Sequence, residues 1–304
     1  MKISSCIVLL LISVASLAQT PALSSASDTL AMQAKDFQEI QEKDSTQTVN
    51  PWQQKKGELL LSPFVSHYRA TSFRDSDGNR QDFNNNGKFT NYNPRLYFSL
   101  ALNDTKLNLF GSIPFFSNRY QDDENSLSNT DFGDIELGLR FNLANWGENY
   151  LMGAVIGYFP AYSNNQLPFA SFERYGIEPR LILGGTSKWL GEFNNFHKIE
   201  LGLRYFFPKD PIQFRLLLTE GYNLTNKLLL LGEVDVLMSY SEESQFFEEN
   251  LQLVSDFKMI KASINLGYRF SEKVEVYGGL FHDLYNRNIA VGSGFQLFGV
   301  IRID

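Results

Sequence analysis

The chain has 304 residues and a net charge of −7, and this acidic balance leaves no basic footprint for nucleic-acid phosphates. Beyond the N-terminus no apolar run approaches the roughly 20 residues of a membrane-spanning helix. Aromatic residues nevertheless make up 14% of the chain although its mean hydropathy is negative, a surplus that calls for a physical explanation.

Taken in chain order, the first element is a leader. Lys2 supplies a positive charge, Ile7 to Val14 an apolar core, and Ser16-Leu17-Ala18 a small-x-small site before Gln19. Residues 1–18 therefore read as a secretory signal peptide; the apolar segment is short for a membrane helix and no stop-transfer pattern follows. Cys6, the only cysteine, lies within it, so the mature chain is expected to carry neither disulfides nor thiol chemistry. Residues 19–55 are polar. Leu30, Ala34 and Phe37 have helical spacing behind Ser27 or Asp28. The composition suits a mostly disordered periplasmic tail; a segment folded back as a plug is the competing reading.

From Gly57 onward, alternating segments recur to the last residue. In "DFGDIELGLRFNL", Ile135, Leu137, Leu139, Phe141 and Leu143 fall on one side, and Asp134, Glu136, Arg140 and Asn142 on the other. That period of two is a strand with one oily and one charged face. "HKIELGLRYF" and "KASINLGYRF" repeat the theme, the latter opposing Ile264, Leu266 and Tyr268 to Lys261, Asn265 and Arg269. Twelve strands are expected, at 57–73, 90–102, 106–118, 131–143, 150–162, 173–189, 196–207, 211–223, 227–241, 250–270, 273–285 and 292–303. The tenth is overlong and changes phase near Lys258 to Lys261, which reads as a bulge or a missed turn. Tight turns ("NDT", "LTNK", "SEK") alternate with mostly longer polar connections such as Arg74 to Phe89 and Asn118 to Thr130, "PKDP" being a short exception. Short turns on one side and long loops on the other, with an even strand number, is the pattern of an outer-membrane barrel.

A soluble sheet turns its oily face inward, whereas a membrane barrel reverses the faces. Reversal is favoured here by the mixed-sign charges and small residues on the polar face, and by aromatics near strand ends. These are Tyr158, Phe159 and Tyr162; Tyr205, Phe206 and Phe207; Phe281 and Tyr285; and Trp146 and Trp189 near short turns. Tyr and Trp favour the membrane–water boundary. An open soluble sheet of this many strands would also expose edges. The fold expected is all-β: a single transmembrane antiparallel β-barrel of about 12 strands over residues 56–304.

The segment Asp131 to Leu143 resembles the Gly-Asp-containing strand of the outer-membrane family named for the meta pathway of phenol degradation. "GAVIGYFPAYSNN", with Pro160 at the strand end, is similar to another strand and polar loop of that family. "INLGYRFSEKVEVYGG" resembles its Gly-Tyr-Arg strand, turn and next strand, and "YNRN" its loop before the last strand. The resemblance spans most of residues 90–304. It implies a channel or transporter-like barrel for small hydrophobic or aromatic compounds. The chain departs from many outer-membrane barrels at "FGVIRID", which ends on Asp304 rather than an aromatic residue.

Catalysis finds little support. His67, His197 and His282 are far apart in sequence, and Ser66 and His67 face opposite sides of a strand. No His/Cys pattern for zinc occurs, so no enzyme is expected. "DFNNNG" matches the start of a calcium loop, with Asp82, Asn84 and Asn86 as oxygen ligands and Gly87 at the turn. The twelfth position is Asn93 rather than glutamate, and a solvated turn cluster explains the same residues. Calcium at this loop is the only cofactor the sequence suggests.

The inward charges form the third set: Arg95, Arg140, Arg180, Arg204, Arg215, Arg269 and Arg302 with Asp134, Glu136, Glu178, Glu200, Glu233, Asp235 and Glu275. They read either as a selectivity lining or as ion pairs that close the lumen. The expectation is a passive outer-membrane channel reached after secretion to the periplasm of a Gram-negative-type cell. Its partners would be outer-membrane lipids, barrel assembly machinery and a small-molecule solute, without nucleic acid. The alternative is a closed structural or adhesive barrel whose loops bind a partner.

Overall fold

The computed structural model describes residues 54–103, 106–187, 195–242 and 255–304. The expected leader, nearly all of the polar tail, and Trp189 lie outside these residues. The strands are β1 (Leu59–Arg74), β2 (Arg80–Asp82), β3 (Lys88–Asn103), β4 (Leu107–Gln121), β5 (Ser126–Phe132), β6 (Asp134–Trp146) and β7 (Asn149–Pro160), followed by β8 (Gly176–Ser187), β9 (Asn195–Phe206), β10 (Ile212–Asn223), β11 (Leu228–Tyr240), β12 (Phe257–Ser271), β13 (Val274–Arg287) and β14 (Ile289–Ile303).

Each long strand pairs antiparallel with its sequence neighbour, and β14 pairs with β1 from Leu59↔Ile303 to Arg74↔Ile289, which closes the sheet. β5 and β6 are two parts of one stave. β5 pairs with the far half of β4 and β6 with its near half. Gly133 joins them, and its N–H donates to Pro114 O at 2.9 Å. β2 is a short strand beside the end of β1. The barrel thus has twelve antiparallel staves.

The alternation in the sequence explains the staves, and the sides are reversed from those of a soluble protein. On β6, Leu139 is 45% exposed and its neighbour Arg140 only 3%. On β9, Leu201 is 43% exposed and Glu200 only 7%. Leu137, Leu203 and Leu266 are likewise exposed, and Asn265 is buried. An apolar outer belt around a charged interior is the arrangement of a membrane-spanning barrel, in which hydrocarbon replaces water outside.

Some connections differ from those expected. β4 continues to Gln121 and β5 starts at Ser126, so the expected loop 118–130 shrinks to Asp122–Asn125. The backbone N–H groups of Glu124 and Asn125 donate to the Asp122 carboxylate there. The segment 74–89 contains β2 and a 3-10 turn at Asn84–Asn86. "YNRN" is mostly strand, and Asn288 alone turns the chain, with φ 58°, a conformation asparagine tolerates better than most residues. β8 begins at Gly176 rather than 173. β12 begins at Phe257 rather than 250, and its pairing with β13 shifts between Ile260 and Lys261, where a bulge was one reading. The turns 147–148, 224–227 and 272–273 lie at one rim; the connections 75–87 and 161–175 lie at the other, together with the short turns Asp122–Asn125, 207–211 and Asn288.

Candidate functional site: the barrel interior

Alternation on β8, β9, β10 and β11 turns Glu178, Arg180, Lys198, Glu200, Arg204, Arg215, Glu233 and Asp235 inward. Glu178 is fully buried and sits at the centre of a network. It accepts from Arg180 Nε at 2.7 Å, Arg204 Nε at 2.9 Å and the Tyr158 hydroxyl at 2.8 Å. Arg180 also donates to Glu200 at 2.7 Å, and Lys198 Nζ lies 2.6 Å from the same carboxylate. Arg204 donates to Tyr158 Oη and Gln213 Oε1, with its guanidinium 3.8 Å from the Tyr158 ring centroid. Further along, Arg215 is held by both oxygens of Asp235 at 3.2 and 3.0 Å. Each acid is thus met by cations or donors, the condition under which buried charge is tolerated.

Other parts of the wall are different. Phe110, Tyr150, Met152, Ala154, Ile156, Tyr158 and Ile182 form an inward apolar cluster on β4, β7 and β8, with Tyr97 against it. Between β12 and β14 a small neutral polar patch lies among apolar inward side chains such as Leu60, Phe298 and Val300: Gln296 donates to Asn265 Oδ1 at 2.8 Å, and Asn265 donates to Ser263 Oγ. Nearer the rim of the turns 224–227 and 272–273, Arg269 pairs with Glu275 at 2.7 Å and Arg302 with Glu58 at 2.8 Å. The interior therefore has a charged sector, two apolar clusters and a small hydrogen-bonded patch.

Several inward charges stand apart; buried Asp283, which accepts from the Tyr68 hydroxyl and the Gly292 N–H, is one that also has no ion pair among the described residues. Among the described residues, no ion pair within 4.0 Å includes Arg95, Glu136, Glu233 or Lys261. Arg95 lies 5.5 Å from the Phe64 ring centroid and its buried Nε has no hydrogen-bond partner. Lys261 lies 5.3 Å from the Phe281 ring, and Glu233 accepts only a 3.3 Å bond from Ser263. Asp134 accepts from Tyr162 at 2.9 Å, and Arg140 donates to Ser99 Oγ at 3.2 Å.

Two further segments reach inward. The connection 161–175 leans over the β5/β6 stave: Asn118 of β4 donates to Phe169 O, and Asn129 of β5 donates to Gln166 O and Pro168 O. Phe172 packs edge-on against the buried Phe206, centroids 5.3 Å apart. From the opposite rim, buried Gln54 donates to Ser99 O at 2.8 Å and accepts from Asn108 and Ser99.

Neither Gln54 nor Tyr158 belongs to the charged set read from sequence. Gln54 precedes the strand pattern. Tyr158 lies on a strand whose inward face is apolar, so hydropathy gives no sign of its direction. The aromatic belt also needs correction. Tyr158, Phe206 and Phe281 are buried inside, and Tyr162 is buried in the loop, whereas Trp146, Phe159, Phe207 and Tyr285 are exposed. Lys198 and Lys261 were legible on the polar face but carried no further signal.

His67 faces outward and stacks on Phe295 at 5.3 Å, while Ser66 is buried on the other face. Asn86 of the proposed calcium loop donates its amide to Asp123 at 2.7 Å. Among the described residues no group of three or more His, Cys, Asp or Glu side chains is gathered to hold a metal.

With this geometry in hand, comparison with solved structures is informative. The chain superposes on the crystal structure of an outer membrane channel from Pseudomonas putida F1 with a TM-score of 0.65 at 13% identity, covering 85% of this chain and 100% of that one. The fold is that of an outer-membrane barrel. The NanC porin (TM-score 0.45, 9% identity, 80% and 100% covered) and the translocator domain of the autotransporter NalP from Neisseria meningitidis (0.47, 9%, 93% and 100%) also align, at scores too low to add to this assignment. No protein-family model matches the sequence, and no curated protein matches it.

Proposed function

We propose that the protein is a passive outer-membrane channel for small molecules that combine an apolar part with hydrogen-bonding groups, aromatic compounds among them. The observation that carries this reading is an interior divided between paired charges, apolar clusters and the unpaired Arg95, Glu136, Glu233 and Lys261. A wall built only for stability would not need half-buried charges without ion partners. The resemblance to the meta-pathway family and the likeness to a solved outer membrane channel support the same direction. On this reading the chain is exported with a cleaved leader, folds through barrel assembly machinery and works without enzymatic chemistry. The test is recording from the purified protein in planar bilayers, where discrete current steps are expected. Their absence across salts and voltages would overturn the channel reading.

A second reading has its own observation. The Glu178 network, Gln54 and the inward connection 161–175 all occupy interior space. If they leave no continuous water path, the barrel is a closed scaffold that presents its loops to a partner. Impermeability of protein-loaded liposomes to small sugars and aromatic acids would favour that reading.

A further inference from the structure

The outer face carries a feature unrelated to the lumen. Strand register aligns one row of outward residues across five staves: His282 on β13, Ser293 on β14, Arg69 on β1, Thr90 on β3, and Arg119 on β4, with Ser128 of β5 beyond. Lys88 stands one pleat above Thr90 on the same face. Arg69 and Arg119 are exposed. Among the described residues none of Arg69, Lys88 and Arg119 takes part in an ion pair. Arg119 makes one long bond, 3.4 Å, to Ser126 Oγ.

The position of this row is informative. One pleat below it, towards the membrane centre, the register runs Leu280, Phe295, His67 and Tyr92, with Leu280, Phe295 and Tyr92 all strongly exposed. The cations therefore lie just above an apolar and aromatic belt, at headgroup level, where lipid-facing arginine is tolerated. They are also confined to one side. The outward positions of β6 to β11 carry a single charged residue, Glu220, close to the opposite rim.

Acids of the loops above these strands do not neutralise the row. Asp75 and Asp122 accept hydrogen bonds within their own turns, and Asp123 accepts from Asn86. Asp77, Asp82 and Glu124 are exposed.

Beside the row is a depression of about 600 Å³ lined by Ala262, Ile264, Leu280, His282, Ser293 and Gly294. It forms above the paired Ile264 and Leu280, where the small Ala262 and Ser293 flank His282 on either side. Its upper edge, His282 and Ser293, belongs to the basic row, and its lower part is apolar. A polar edge that continues the basic row, directly above an apolar depression, is complementary to a lipid with an anionic headgroup.

We propose that this face binds a phosphorylated, multiply acylated glycolipid of the lipid A class in the outer leaflet. Arg69, Arg119 and Lys88 meet its phosphates, Ser293, Thr90 and His282 its sugar and phosphate oxygens, and the groove takes an acyl chain. Guanidinium groups suit phosphate because their planar donors bind two oxygens at once. The inference rests on the orientation that puts the long loops on the cell exterior, and not on conduction.

The test is native mass spectrometry of the folded full-length protein in detergent with lipid A, phosphatidylglycerol or phosphatidylethanolamine added. The wild type should retain lipid A selectively. The double variant Arg69→Gln/Arg119→Gln should bind it about 30-fold more weakly, since each basic residue near an anionic lipid surface contributes severalfold. Lys273→Gln at the other rim should change nothing. Both variants should keep the heat-shifted mobility of a folded barrel and the wild-type bilayer current, if any. Equal retention of lipid A by the double variant would overturn the proposal, as would equal retention of phosphatidylglycerol by the wild type. A wild type that conducts no current but holds lipid A would overturn the channel reading alone.

Discussion

Glu178 shows how much one side chain organises. Removing it would leave Arg180, Arg204 and the Tyr158 hydroxyl without their shared acceptor. Breaking a buried pair by deleting one partner costs roughly 3–5 kcal/mol, so Glu178→Ala should lower stability by an amount in that range. Urea unfolding in detergent followed by tryptophan fluorescence measures it, and a change below about 1 kcal/mol would contradict the central role of this carboxylate. Outside the membrane, Asp75 offers a pH test. The Asn79 backbone N–H, helped by the side chains of Gln81 and Asn79 and by the Asp77 N–H, holds its carboxyl below the ordinary value of 3.8. A depressed carboxyl stabilises the folded turn above the unfolded value and loses that contribution as pH falls through the lower, folded one. The amide signals of Asp77 and Asn79 should therefore hold down to about pH 4 and shift together only below it. At this scale the sequence was half legible. The period of two assigned Arg180, Glu200 and Arg204 to one face, but which acid would meet which base depends on stagger between strands, and alternation carries no information about stagger.

At the scale of elements, the decisive quantity is the side of the sheet that meets hydrocarbon. Arginine on the lipid face near mid-bilayer costs about 2–4 kcal/mol. Leu201→Arg should thus abolish the heat-shifted electrophoretic form, whereas Glu200→Gln, one residue away but inward, should keep it. Identical behaviour of the two variants would contradict the assignment of faces. The twelve staves could be read from sequence because each keeps its alternation for most of its length. The extension of β4 into β5 could not: in "SNRYQ" and "SLSNT" the outward face is wholly polar and only Tyr120 and Leu127 are apolar on the other, so the hydropathy signal fades while backbone pairing continues. The inward lean of 161–175 was equally silent, since it depends on amide bonds from Asn118 and Asn129 and on the ring of Phe206. Phe172→Ala removes an edge-on aromatic contact of about 0.5–1.5 kcal/mol. If the barrel conducts, this variant should raise open-channel current or its noise in single-channel traces; unchanged traces would mean that the connection does not border the solute path.

For the molecule as a whole, the interior mixes charges of both signs, and a channel of this kind should discriminate weakly between small cations and anions. The unpaired charges are the ones free to bias it. Arg95→Glu should move the reversal potential in a salt gradient towards cation preference, and Glu136→Lys towards anion preference. Shifts of equal sign, or none, would show that these two side chains lie outside the conducting path. Arg180 and Arg204, held in the Glu178 network, should be poor handles by comparison, because their replacement disturbs folding before it tunes selectivity.

The pairing of β1 with β14 bears on time as well as shape. Leu59 meets Ile303 and Tyr68 meets Gly294, so the contacts that complete the cylinder join nearly the most distant residues of the folded chain. Loop-closure entropy must be met before such contacts give any return, and folds dominated by distant pairings are slow. Every other hairpin can zip locally, but the last row of hydrogen bonds waits for all of them. Until then two strand edges stay open, the state most prone to aggregate. The seam is also intolerant of added bulk: a Cβ at Gly294 would lie 2.0 Å from His67 O and 2.5 Å from the Phe281 ring. Gly294→Ala should therefore slow the final step of refolding into lipid vesicles, leaving earlier secondary-structure formation by circular dichroism unchanged. The same substitution in a strand far from the seam, Gly232→Ala, where a Cβ meets nothing nearer than 3.9 Å, should leave the final step as fast as in the wild type.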